Sequence, residues 1–272
     1  MFGEAVKRLI WKITAVFVLA ATIGCSAPSS FAHMDTVQAA EKAVYQIVAR
    51  NGYKCWMQAI GAKGKVKWSS SNQDVAKILS KNNKECEVMP LKDGRATITA
   101  RADNITIKYK VAVETGKKFL DAWCSQWVKD NITQDMDVKE KLILASAYVV
   151  SNNNRYGSTS EPEDVITTGT GTCVSGGKLV AALCEAMGYD AKVRFAAKDD
   201  MSRYPPGVIF MEQHYNVEVK AGGKKYYIDG TPGGLVVYLC TKKKTLYYGY
   251  SVKGQIYPPD ALMDIPVEEL LG

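Results

Sequence analysis

Histidine is almost missing, for His33 and His214 are the only two in 272 residues. None of the seven cysteines forms a Cys-x-x-Cys pair. A zinc site built from Cys and His therefore has no ligand set, and no metal is expected. No cofactor is expected either, because the glycine-rich stretch Gly169-Thr170-Gly171-Thr172-Cys173 lacks the Lys-Ser/Thr of a phosphate loop and the spacing of a dinucleotide site. The apolar stretch "ITAVFVLAATIG" is about a dozen residues, short of the ~20 that a spanning helix needs. Long basic runs are absent too. The formal charge is +7, from 35 Lys and Arg against 28 Asp and Glu, and the longest run is Lys242-Lys243-Lys244. So mild an excess suits an acidic cell wall or membrane surface as well as nucleic acid, and nucleic acid is not among the expected partners. The cysteines are too sparse and irregular for a small disulfide scaffold.

What is present fits one or two globular domains with real cores: 47% hydrophobic residues, with 5 Trp, 15 Tyr and 6 Phe. Residues 1–32 read as an export signal, with Lys7, Arg8 and Lys12 ahead of the apolar stretch and small residues after it. Cleavage at Ser30-Phe31-Ala32 or Val37-Gln38-Ala39 implies secretion. "TIGC", ending at Cys25, imitates a lipoprotein box, with Thr22 where a large aliphatic is usual. The expected location is extracellular or at the cell surface, by either route.

Residues 45–113 alternate apolar and polar in short runs separated by turn residues, the pattern of a small all-β sandwich. The stretch "VKWSSSNQDVAKI…VMPLKDGRATITA" resembles the bacterial Ig-like domain, group 2, with its Trp-Ser-Ser-x-Asn turn and Gly-x-Ala-x-Ile-x-Ala strand. That resemblance implies a spacer or adhesive module able to meet a cell-surface polymer. Cys55 and Cys86 share the inward parity of their strands if Met57 and Val88 are core residues. Either they meet across the sandwich as a disulfide or they stay buried thiols.

From Gly116 the period changes to that of helices. "KKFLDAWCSQWVKD" and "DVKEKLILASAYVVSNNNRYG" are amphipathic, with Asp135 or Asp137 as N-cap of the second and Asn152-Asn153-Asn154 as its stop. "GSTSEPEDVITTGTGT" reads as a loop. A third helix follows, apolar at Leu179, Val180, Leu183, Cys184, Ala186 and Met187 and stopped by Gly188. Cys173 falls at its first turn, where unpaired N–H groups and the helix dipole favour a thiolate. Cys184, on the apolar face, reads as packing.

A nucleophilic thiolate needs a base, and with His33 at the processing site the candidate is His214. It opens "HYNVEVK", followed by Ala221-Gly222-Gly223 and "KKYYIDG", a β-hairpin with Asp229 at its far end. A two-residue turn at Ala221-Gly222 sets Asp229 opposite His214, and one at Gly222-Gly223 sets it opposite Asn216. In both registers His214 and Asp229 share a face.

The order Cys at a helix start, His on a strand and Asp on the next strand resembles the transglutaminase-like superfamily of papain-related folds. The residues that carry the resemblance are "GTCVSGGKLVAALCEAMGYDAKV", "HYNVEV" and "GKKYYIDGTPG", after a helix ending "NNNRYG". The fold it implies is an α+β domain over 117–272, following the Ig-like sandwich of 45–113 in a multi-domain chain. The roles it implies are Cys173 as nucleophile, His214 as general base and acid, and Asp229 as the residue that orients His214. Where many members carry an aromatic two positions past the histidine, this chain has Asn216, which puts the wall of the acyl-donor pocket in doubt. The implied activity is amide hydrolysis or acyl transfer on protein or cell-wall peptide through a thioester. The rival reading is a non-catalytic surface adhesion or wall-binding protein that keeps the fold.

Overall fold

The computed structural model describes residues 42–152, 155–196 and 214–231, together with short strands at 239–240, 250–252 and 255–257. The export segment lies outside these residues. The described chain forms two compact units that divide between Gln126 and Trp127. No helix among the described residues is long and apolar enough to cross a membrane.

The first unit is built of β1 (Lys42–Arg50), β2 (Cys55–Gln58), β3 (Lys67–Ser70), β4 (Ala76–Lys81), β5 (Glu85–Pro90), β6 (Gly94–Arg101) and β7 (Thr106–Glu114). They make a four-stranded sheet, β1-β7-β6-β3, and a three-stranded sheet, β2-β5-β4. Only β1 and β7 run parallel; the other pairs are antiparallel. Alternation assigns the faces: along β7, Ile107, Tyr109, Val111 and Val113 are buried while Lys108 and Lys110 are exposed. Both sheets contribute to one core that contains Met57, Trp68, Val88, Ile98 and Ile107. The Trp-Ser-Ser-x-Asn stretch does two jobs. Trp68 is buried with its indole N–H donating to the Asn82 carbonyl at 2.8 Å, and Asn72 closes the following turn by accepting the Asp74 N–H at 3.1 Å on Oδ1.

Cys55 and Cys86 are buried thiols and are not joined. They do not face each other across the sandwich, because β2 pairs directly with β5: Cys55 lies opposite Val88 and Met57 opposite Cys86. The two cysteines are thus diagonal neighbours within one sheet. Burial pushes the Cys86 thiol up to about 12, against a smaller downward pull from Lys81.

The second unit contains the end of α1 (Gly116–Asn131), which crosses the division, then α2 (Val138–Asn152), β8 (Arg155–Tyr156), α3 (Pro162–Thr168), β9 (Thr170–Gly171) and α4 (Cys173–Ala186). After these come β10 (Asp190–Ala196), β11 (His214–Ala221), β12 (Lys224–Ile228) and β13 (Leu239–Cys240) in an antiparallel sheet of that order. Asp137 caps α2 reciprocally: its Oδ1 accepts the Glu140 N–H at 2.8 Å, and its own N–H donates to Glu140 Oε2 at 3.0 Å. The stretch expected to be a loop holds the two-turn helix α3. Pro162 starts it and Gly169, at φ 66°, ends it. Its seven residues are too few for periodicity to register, and only the Pro and Gly boundary signals were available. α4 packs on one face of the sheet, where methyl groups of Val193 and Val217 fill the space beside Gly177.

Candidate active site

α4 begins where it does because Thr172 caps it. The Thr172 hydroxyl accepts the N–H groups of Val174 and Ser175 at 3.2 and 3.3 Å, and the Thr172 N–H donates to Ser175 Oγ at 2.7 Å. Cys173 is therefore the first residue of the helix, and it is 5% exposed. The strand pair β8 and β9 brings a neighbour to it. Tyr156 lies opposite Gly171, Gly157 N–H donates to the Gly171 carbonyl at 2.8 Å, and Tyr156 Oη ends 4.0 Å from Cys173 Sγ. The Tyr156 side chain is otherwise exposed. In the sequence Tyr156 reads only as part of the helix end "NNNRYG", whereas the helix ends at Asn152 and Tyr156 lies on a strand, in a two-residue ladder between segments fifteen residues apart that has no periodic signature.

The hairpin resolves the register left open by the sequence. Ala221 pairs with Lys224, leaving Gly222 and Gly223 as a two-residue turn with φ of 54° and 75°, a conformation that glycine adopts at little cost. Val217 pairs with Ile228, so one further step sets Asp229 opposite Asn216. His214 opens β11 with its backbone opposite Ala196, while its side chain lies outside the described residues.

Asp229 is 4% exposed, and its carboxylate Oδ1 accepts the Thr231 N–H at 2.8 Å and the Thr231 hydroxyl. Its carbonyl accepts the hydroxyl of Ser146, a fully buried residue of α2. The next residue, Gly230, lies against the first turn of α4 so closely that a Cβ added there would be 2.5 Å from the Gly176 carbonyl oxygen. The structure thus brings the backbone at Asp229 to the same helical turn that carries Cys173. Ser146 and Gly230 were not singled out by sequence; they act through the backbone of the site rather than through chemistry of their own.

Two further buried polar groups belong to this unit. Asn216 is fully buried, and neither of its amide atoms has a hydrogen-bond partner among the described residues. Glu163 of α3 is 8% exposed, with Oε2 likewise without one. Such groups are rare because each forfeits its hydration. Cys184 is fully buried on α4, and burial, with Glu185 adding to it, pushes its thiol up to about 12. An apolar site of that kind keeps a thiol protonated and inert.

No curated protein matches this chain. Among solved structures, domains 4 and 5 of the S-layer protein SbsC are similar at 21% identity over 25% of this chain and 47% of that one, with a TM-score of 0.22. The chain thus spans about half of that structure's length. The M1 domain from titin is similar at 10% identity over 27% and 89%, TM-score 0.19, and an Ig like domain from human cDNA at 12% identity over 34% and 89%, TM-score 0.21. The family model of the Transglutaminase-like superfamily matches residues 124–229, a span that holds Cys173 and His214 and closes on Asp229.

Proposed function

We propose that the protein is an exported or surface-associated cysteine enzyme that cleaves or transfers amides of proteins or cell-wall peptides through a thioester. One observation carries the reading: Cys173 starts a capped helix, and the close approach of Gly230 to Gly176 anchors Asp229 to that same turn. The peptide N–H groups of the first turn favour negative charge on the Cys173 sulfur. In the reaction, His214 takes the thiol proton and Sγ attacks the amide carbonyl carbon. The carbonyl electrons move to oxygen, where the Cys173 N–H stabilises them. The C–N bond then breaks, His214 returns its proton to the leaving amine, and the acyl group stays on sulfur. Water or an amine attacks the thioester and restores the thiol. Asp229 keeps His214 in the orientation for both transfers. In this reading the domain of 117–272 has the papain-related architecture, and the sandwich of 45–113 is a group 2 bacterial Ig-like module that holds it at the cell surface.

The test is release of ammonia or amine from glutamine-containing peptides by the purified chain. Cys173→Ala should abolish it, and Asp229→Asn should leave a weaker enzyme, because the imidazole loses its orienting carboxylate but not its contact with sulfur. Turnover by Cys173→Ala equal to that of the parent excludes Cys173 as the nucleophile, and a parent that releases neither ammonia nor amine leaves the non-catalytic adhesion or wall-binding protein in its place.

A further inference from the structure

Positive charge is unevenly spread along the chain. Residues 42–114 hold 14 Lys and Arg against 6 Asp and Glu, and the remainder holds 21 against 22. The sandwich therefore carries the whole excess. Five of these cations, Lys67, Arg95, Arg101, Lys108 and Lys110, lie on the outward face of its sheet β1-β7-β6-β3. Lys67 lies opposite Arg101, Lys108 opposite Thr99 and Lys110 opposite Thr97, with Ser69 beside Thr99 on β3. Lys67, Arg101, Lys108 and Lys110 are exposed, and none makes an ion pair among the described residues. Arg95 on the same face is tied to Glu114 at 2.7 Å. The other strand acids, Glu85 and Glu87, belong to β5 in the opposite sheet, while Asp74, Asp93 and Asp103 sit in turns and bends.

We propose that this face binds a flexible phosphodiester polymer without bases, of the polyol phosphate kind. Side chains two residues apart on a strand are ~7 Å apart, and neighbouring strands are ~4.8 Å apart. The face thus offers a close grid of cations, with the hydroxyls of Ser69, Thr97 and Thr99 between them as hydrogen-bond partners. A hollow of about 370 Å³ on this face is lined by Gln46, Ser71, Arg95, Thr97, Lys110 and Gln126. Bases would find no platform, since Tyr45, Trp68 and Tyr109 turn inward to the core and the outward positions of β3, β6 and β7 hold no aromatic. A polymer read by charge and hydroxyls alone fits; one read by stacking does not. The inference is independent of the thiol chemistry, so Cys173→Ala should bind as the parent does.

The experiment is fluorescence anisotropy of end-labelled poly(glycerol phosphate) titrated with the full chain. With about 0.7 counterions released per phosphate contact, four contacts predict a roughly 50-fold loss of affinity between 50 and 200 mM salt. Joint replacement of Lys67, Arg101, Lys108 and Lys110 by Gln should abolish binding at 50 mM with an unchanged melting temperature. The same charge removed from Lys54, Lys77, Lys84 and Lys92, outside this sheet, should leave most of it. Equal losses in the two variants would mean diffuse attraction and overturn the proposal. So would the absence of binding at 50 mM, or an oligonucleotide of equal charge binding as tightly.

Discussion

At the scale of single residues, two cysteines on one helix separate chemistry from packing. Cys173 was set apart by its glycine-rich neighbourhood and Cys184 by its apolar face, and both positions on α4 were legible because capping and amphipathic spacing are local properties. Cys184→Ala should keep turnover and cost on the order of 1 kcal/mol, measured by thermal denaturation, because it leaves a small void in a fully buried position. Asn216 is the opposite case. The sequence marks it as a departure from the aromatic of many members of the family it resembles, but its burial, with an amide that has no partner among the described residues, depends on the sheet around it. Asn216→Leu should raise the melting temperature, since it keeps the branched shape of the side chain and removes the desolvation cost of two unsatisfied polar atoms. A fall in melting temperature would mean that the amide has partners in the folded chain.

At the scale of elements, local signals placed α1, α2, α4 and the β11–β12 hairpin, and the structure chose between the two registers that the glycines allowed. What the sequence could not supply is contact between distant elements. Ser146 on α2 and Gly176 on α4 both meet the chain at Asp229–Gly230, and neither spacing nor composition announces such a meeting. Gly230→Ala should cost about 1–3 kcal/mol by forcing a Cβ onto Gly176 backbone, and should reduce turnover more than Cys184→Ala does, since it displaces Asp229 from the helix start. The sheet also carries a titrating element. Glu218 lies 3.6 Å from Lys192 and 3.4 Å from Lys225. Burial alone would raise its carboxyl, but the two lysines outweigh burial and hold it below the ordinary range of a glutamate carboxyl. A lowered folded-state value means that the stabilisation is present above the unfolded value and is lost as pH falls through the folded one. Urea midpoints of the parent should therefore drop between about pH 5 and 3, and Glu218→Gln should flatten part of that drop. An identical acid limb in the variant would contradict this.

At the scale of the whole molecule, the change of period near residue 116 shows in the sequence as a passage from alternation by two to alternation by three and four, and the strands and helices follow it. The pairing of β1 with β7, parallel and more than sixty residues apart, was beyond such a reading. The concentration of charge in the sandwich was in the sequence throughout, but only the strand register shows that Lys67, Arg101, Lys108 and Lys110 share one face. The central claim is that Cys173 is an activated nucleophile while Cys86 and Cys184 are not. The most direct measurement is the rate of iodoacetamide alkylation at each cysteine, followed by peptide mass spectrometry from pH 5 to 10. Cys173 should be alkylated with a midpoint well below the ~8.5 of a free thiol, and His214→Ala should slow it, while Cys86 and Cys184 stay unlabelled until the chain unfolds. A Cys173 that reacts only on unfolding, or that titrates at ~8.5 regardless of His214, would contradict the claim.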